Sequence, residues 1–247
     1  MAATVVVACS NSPSSVPVGT APPVPSQAVS VDTTPPPKAA SPSPSNVATP
    51  ASPSPSIAAT PAPIDTPEPE ANVVVTQEVA RFQQDYGTAT LNYVVEVQNT
   101  GGAWANIHMF NQSYTVFSKA GDVLATGEFL YMFPAEIGPG EKGYFIESVN
   151  LPDGTKKDEI GKTEAQLSFE PSNGPASTFT FSNVKFKVSE FAATAIEVTG
   201  VVKNTSATEA PDATIGIVAF DANKKILGGF VDNDSKPIRA NGSRGFR

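Results

Sequence analysis

Few residues of this 247-residue chain carry side chains suited to chemistry, and their neighbours decide what each could do. There is one histidine, His108, and one cysteine, Cys9. A hydrolytic triad sets a nucleophile on a sharp turn beside a histidine, yet no Gly-x-Ser-x-Gly elbow occurs and His108 stands in a strand-patterned run. A single cysteine rules out an intrachain disulfide and a cysteine-based zinc site. Asp232-Asn233-Asp234 spaces two carboxylates like half of a calcium loop but lacks the glycine and distal glutamate of that pattern, so it reads as a solvated turn. Asp221 reads as a hairpin cap and Lys156-Lys157-Asp158 as a solvated loop. Trp104, beside Gly101-Gly102 and four residues before His108, is the candidate for binding. An aromatic on a loop at the end of a sandwich stacks on a sugar or fills a partner's pocket; its blander role is to cover the open end of a core. No residue set calls for a metal or a cofactor. Catalysis would fall to Asp and Glu alone, and short strands give a carboxylate pair no deep cleft, so the chain is read as no enzyme.

Cys9 follows Val6-Val7-Ala8. An aliphatic residue, small residues and then cysteine resemble a bacterial lipobox, in which small side chains let a peptidase reach the backbone and the thiol accepts the lipid. The positive and long apolar regions that precede such a box in a secretory signal are missing. Residues 1–9 are therefore read as the remnant of a lipoprotein signal peptide, implying a membrane partner through lipid on Cys9 and an extracytoplasmic, envelope location. The competing reading is an incidental cysteine in a disordered arm.

Seventeen of the 24 prolines precede Asn72, and no aromatic residue precedes Phe82. Such a segment, rich in Pro, Ser, Ala and Thr, buries too little apolar surface to offset the entropy of ordering it. Residues 10–71 are expected to be a disordered tether, reaching at most roughly 190 Å at about 3.1 Å per residue. The net charge of −8 carries no Lys or Arg block and excludes nucleic acid as a partner.

The elements that must position any site are strands, and they recur. Leu91, Tyr93, Val95 and Val97 alternate with mostly polar residues up to Asn99-Thr100. The same order returns 105 residues later in Ile196, Val198 and Val202 up to Asn204-Thr205. Period two is a half-buried strand, and Asn ends a ladder cheaply. Phe117 to Leu124 matches Phe220 to Leu227 at a spacing of 103, and Gly140-Glu141-Lys142-Gly143-Tyr144 matches Gly242-Ser243-Arg244-Gly245-Phe246 at 102. The expected fold is all-β: two tandem Ig-like β-sandwiches, at 72–171 and 176–247, after the disordered segment. Further strands are expected at 73–82, 105–117, 123–133, 143–150, 165–170 and 178–188, with Val184, Phe186 and Val188 lining one face and one helical turn within 151–162. On this alignment the second copy ends about 25 residues short. Either the chain is a fragment or a partner donates the missing strand.

The pattern of strand, Val-x-Asn-Thr, aromatic strand, hairpin and Pro-Gly-Glu resembles the FxLYD domain, a β-sandwich module of bacterial and archaeal envelope proteins and lipoproteins. Val97-Gln98-Asn99-Thr100 and Val202-Lys203-Asn204-Thr205 carry its first element; Tyr114-Thr115-Val116-Phe117-Ser118 and Ile217-Val218-Ala219-Phe220-Asp221 stand at the naming motif, with Phe in place of Tyr and Ser118 in place of Asp. Pro139-Gly140-Glu141 matches well and Asn241-Gly242-Ser243 less so. The resemblance implies a fold and an envelope location but no activity. Two functions follow as expectations: a non-catalytic, lipid-anchored spacer or interaction module with an envelope protein or glycan as partner, or a surface carbohydrate- or peptide-binding protein using the loop around Trp104.

Overall fold

Alternation of apolar side chains dictates strands, and strands account for nearly every element. The computed structural model describes residues 4–11, 70–85, 87–107, 111–175, 177–188 and 196–247. The protein is all-β, with two tandem sandwiches. The body of the expected tether, and the expectation placed on His108, lie outside the described residues.

The first sandwich sets one sheet of β2 (Val73–Asp85), β3 (Thr88–Asn99), β9 (Lys142–Asn150) and β7 (Met132–Phe133), in the order β2-β3-β9-β7. Opposite stand β10 (Ile160–Gln166), β5 (Ser113–Ser118) and β6 (Val123–Glu128), and, at one end, β11 (Phe169–Ser172), β4 (Trp104–Ile107) and β8 (Glu136–Ile137). The single run expected at 123–133 is thus split into β6 and β7, and that at 165–170 into β10 and β11. The expected helical turn is a 3₁₀ turn at Lys157–Glu159. Between the sheets Leu91, Tyr93, Val95 and Val97 of β3 meet Tyr114, Val116, Phe129 and Phe145.

The second sandwich repeats the plan with β12 (Phe179–Val188), β13 (Ile196–Asn204) and β16 (Ser243–Phe246) against β14 (Ala210–Phe220) and β15 (Ile226–Ile238). Val198, Val202, Ala213, Ile215, Ile217 and Phe246 form its core, with Phe179 and Phe181 against it. Val184 and Phe186, expected to line a face, stand 36% and 47% exposed, beyond a bulge between Ser182 and Lys185. Asp232-Asn233-Asp234 is no turn: it runs within β15, with Asp232 opposite Ile215.

The hairpins are copies in detail. In the first, the Ser118 Oγ accepts hydrogen bonds from the Ala120 and Asp122 amides, both 3.1 Å. In the second, Asp221 Oδ1 accepts from Asn223 and Lys225 at 2.8 and 2.9 Å. Ser therefore replaces Asp without loss of the cap. Gly121 supplies the left-handed residue of the first turn (φ 95°) and Lys224 that of the second (φ 61°).

One spacing differs from the sequence alignment. Asn99 N donates to Glu141 O and Asn204 N to Gly242 O, so the last strands are related by 101 residues rather than 102. The consequence is large, because a one-residue slip in a strand exchanges its faces. Phe246 is thereby the counterpart of Phe145, inside its own sandwich, and not of Tyr144.

Tyr144 belongs to a third core. Val94, Phe133, Tyr144 and Ile146 of the first sandwich meet Val218, Phe220 and Ile226 of the second. Strand β3 is therefore apolar on both faces at its centre, where Tyr93, Val94 and Val95 are all fully buried.

Candidate interaction surface

Asn99 and Asn204 end their strands at 0% exposure, so every polar atom they carry must find a partner inside the protein. Asn99 Nδ2 donates to Ala103 O (2.7 Å) and Ile137 O (3.0 Å), and its Oδ1 accepts from Gly101 N (3.0 Å). Asn204 Nδ2 donates to Thr208 O (2.7 Å) and Ile238 O (3.0 Å), and its Oδ1 accepts from Ser206 N (3.0 Å). The Asn-Thr motif is thus a buried clamp that ties a strand end to the following loop and to the opposite sheet. That role exceeds the strand-ending one read from sequence.

The clamp fixes the loop that carries Trp104. Trp104 opens β4, its backbone opposite Ser172 of β11, and its side chain is half-buried. The indole lies against two glycines: a Cβ built on Gly138 would stand 3.1 Å from Trp104 Cζ2, and one on Gly174 3.3 Å from Cε2. A side chain at either glycine would press on the ring, which would have to give by a few tenths of an ångström. Ser172 Oγ donates to Glu136 Oε2 (3.0 Å) and accepts from Gly174 N (3.1 Å), while Gly138 N donates to Glu141 Oε2 (2.9 Å). The half-buried ring thus packs on the turns at Gly138 and Gly174.

Among the described residues the buried carboxylate is Glu96, at 2% exposure. Its Oε1 accepts from Lys142 Nζ at 2.6 Å and from Thr76 Oγ1 at 2.7 Å. Burial, and then the Glu96 charge, push the Tyr144 hydroxyl well above the ordinary range. A second group joins Tyr93, whose hydroxyl donates to Glu78 Oε1 at 2.6 Å, with Thr163 Oγ1 on the same oxygen at 2.6 Å. Burial and that carboxylate likewise hold Tyr93 neutral far into alkali. Both groups tie strands together and present no activated nucleophile. Sequence reasoning missed Glu96 because alternation puts it on the outward face of β3; its signal is Lys142, which stands opposite Gln98, two positions along on the same face and so diagonal to Glu96.

Cys9 lies in β1 (Thr4–Asn11), which pairs antiparallel with β14 and sets Cys9 opposite Ile215. Cys9, Trp104 and His108 are not assembled into one site: Cys9 belongs with the second sandwich, Trp104 with the end of the first, and His108 lies outside the described residues. Among the described residues no three of His, Cys, Asp and Glu gather as a metal-binding group, and no helix is long and apolar enough to cross a membrane. No family model, curated protein or solved structure matches the chain.

Proposed function

We propose that this chain is a non-catalytic, lipid-anchored protein of the bacterial cell envelope, whose two sandwiches act together as a spacer or interaction module. The observation that carries the reading is the third core. A spacer must resist bending at its junction, and a junction filled by Val94, Phe133, Tyr144, Ile146, Val218, Phe220 and Ile226 resists it far better than a solvated linker. Polar bonds reinforce the packing. Asn92 Nδ2 donates to Gly229 O (2.5 Å), its Oδ1 accepts from Gly229 N (2.9 Å), and Gln77 bonds both Lys224 O (3.0 Å) and Ile226 N (3.2 Å). The strand and turn pattern resembling FxLYD modules supports the same location.

Anchoring rests on Val6-Val7-Ala8-Cys9 followed by the proline-rich segment, which would hold the module away from the membrane. The test is intact mass spectrometry of the protein made in a bacterial host from its natural gene context. The expected product begins at Cys9 and carries acyl mass. An unmodified chain that keeps Met1 overturns the lipoprotein reading.

A further inference from the structure

The two sandwiches are closed at the same edge by different parts of the chain. The order in the first is β10-β5-β6 and in the second β1-β14-β15. Strand β14 matches β5 and β15 matches β6 down to the same bulge, between Val116 and Phe117 in one and between Ala219 and Phe220 in the other. Strand β1 therefore stands where β10 stands, and runs in the same sense. Ala165 lies opposite Tyr114, and Val7 opposite Ile217, the counterpart of Tyr114.

The occupants differ in kind. Strand β10 follows β9 within its own sandwich, and its residues Lys162, Thr163, Glu164, Ala165 and Gln166 are mostly polar. Strand β1 comes from far upstream, and Val5-Val6-Val7-Ala8 is apolar at every position. Strand β14 explains the difference. Ala213, Ile215 and Ile217 belong to the core of the second sandwich, whereas Val218 and Phe220 belong to the third core. A strand laid beside one that is buried on both faces has to be continuously apolar.

We propose that the open edge of β14 is a strand-acceptor site for an extended peptide with four consecutive apolar, mainly β-branched residues, and that Thr4–Asn11 fills it in cis. The partner that fits is a Val- or Ile-rich segment of another protein, recognised by main-chain hydrogen bonds and by apolar residues on both faces. Exchange is open to competition because the cis strand is joined to β2 by more than sixty residues, and a long tether gives an effective concentration of only about millimolar or below. The inference rests on the lipoprotein reading only for how the edge is vacated: cleavage ahead of Cys9 removes residues 4–8, five of the eight in β1.

The experiment uses the full chain made without export, so that Cys9 stays unmodified, and a fluorescent peptide of residues 4–11 with Cys9→Ser. In a Val6→Pro/Val7→Pro variant β1 loses a ladder donor, because neighbouring amides of a strand point to opposite sides and one of these two must face β14, so the segment cannot keep its place in the sheet. The variant should bind the peptide one to one at least tenfold more tightly than wild type, and should prefer it to a peptide with Val5 and Val7 changed to Lys. Equal binding by wild type and variant, or no binding by a variant whose β3 and β9 amides keep their protection from exchange, overturns the proposal. Dimerisation of the variant in place of peptide binding overturns it in favour of pairing between copies. Should the variant not fold, exchange in wild type decides: slow amides along β14 on the β1 side are expected, and fast ones refute the cis strand. Failure here leaves the lipoprotein reading standing, and an unmodified Cys9 in the mass spectrum leaves the acceptor site standing.

Discussion

Replacing Asn99 by Ala gives the sharpest test of the clamp. The substitution removes a bond to the buried Ile137 carbonyl at 3.0 Å, one to the part-buried Ala103 carbonyl at 2.7 Å, and one from the Gly101 amide at 3.0 Å. A hydrogen bond is worth about 1 kcal/mol net, but a buried group left without a partner costs about 1–3 kcal/mol. With the side chain fully buried, water has little access to the orphaned Ile137 carbonyl and only partial access to that of Ala103. The expected loss is about 3–4 kcal/mol, a fall in Tm of about 10 °C for a body of this size. Urea unfolding followed by tryptophan fluorescence reads it directly, since Trp104 sits on the clamped loop. Asn99→Asp separates bonding from volume: it keeps the acceptor for Gly101 but sets a carboxylate against two carbonyls, so at neutral pH it should be no better than Ala. Asn204→Ala should cost about as much, because its three bonds have matching lengths. A loss below about 1 kcal/mol in Asn99→Ala, or an Asp variant as stable as wild type, refutes the clamp.

Other outcomes are expected. Gly216→Val should lower stability by about 1–3 kcal/mol or more and split one unfolding transition into two, because a Cβ there would lie 2.3 Å from Phe133 Cγ across the third core; an unchanged single transition in urea argues against that core. Burial raises the Glu147 carboxyl above its usual value, so its ionisation opposes folding. The folded state holds that proton more tightly than the unfolded state, so the group's favourable share of stability is present at low pH and lost as pH rises through the raised value. Glu147→Gln should therefore be more stable than wild type at pH 7 and lose that advantage at pH 3 to 4, read by thermal unfolding at both pH values. Trp104→Ala should cost about 2 kcal/mol from lost packing on Gly138 and Gly174, and leave a glycan array as blank as wild type; a specific glycan signal lost on mutation would instead establish Trp104 as a binding residue.

Much of the framework was legible from sequence because it is local. Alternation at Leu91, Tyr93, Val95 and Val97 announces β3, and Ser118 to Asp122 announces the hairpin of β5 and β6, since turn chemistry acts within five residues. Asn99 and Asn204 were visible as a repeated pair, but their clamp was not, because Ile137 and Ile238 are brought to them only by the opposite sheet. The sites stayed illegible for the same reason: Trp104 looks alike in sequence whether it is displayed or packed on Gly138 and Gly174.

Sequence by itself determined the class of the protein, its repeated unit and the low folding capacity of the proline-rich segment, all of which follow from residue type and short-range periodicity. Tertiary structure decided which apolar face meets which. Val94 and Tyr144 give no sign in sequence that they pack on a second module, and the choice between 101 and 102 residues for the last strand was fixed only when Phe246 had to enter a core. It also decided that the edge of β14 is covered by residues from the opposite end of the chain. Hydrogen bonding along a sheet edge is indifferent to separation in sequence, so no local pattern could have announced that pairing.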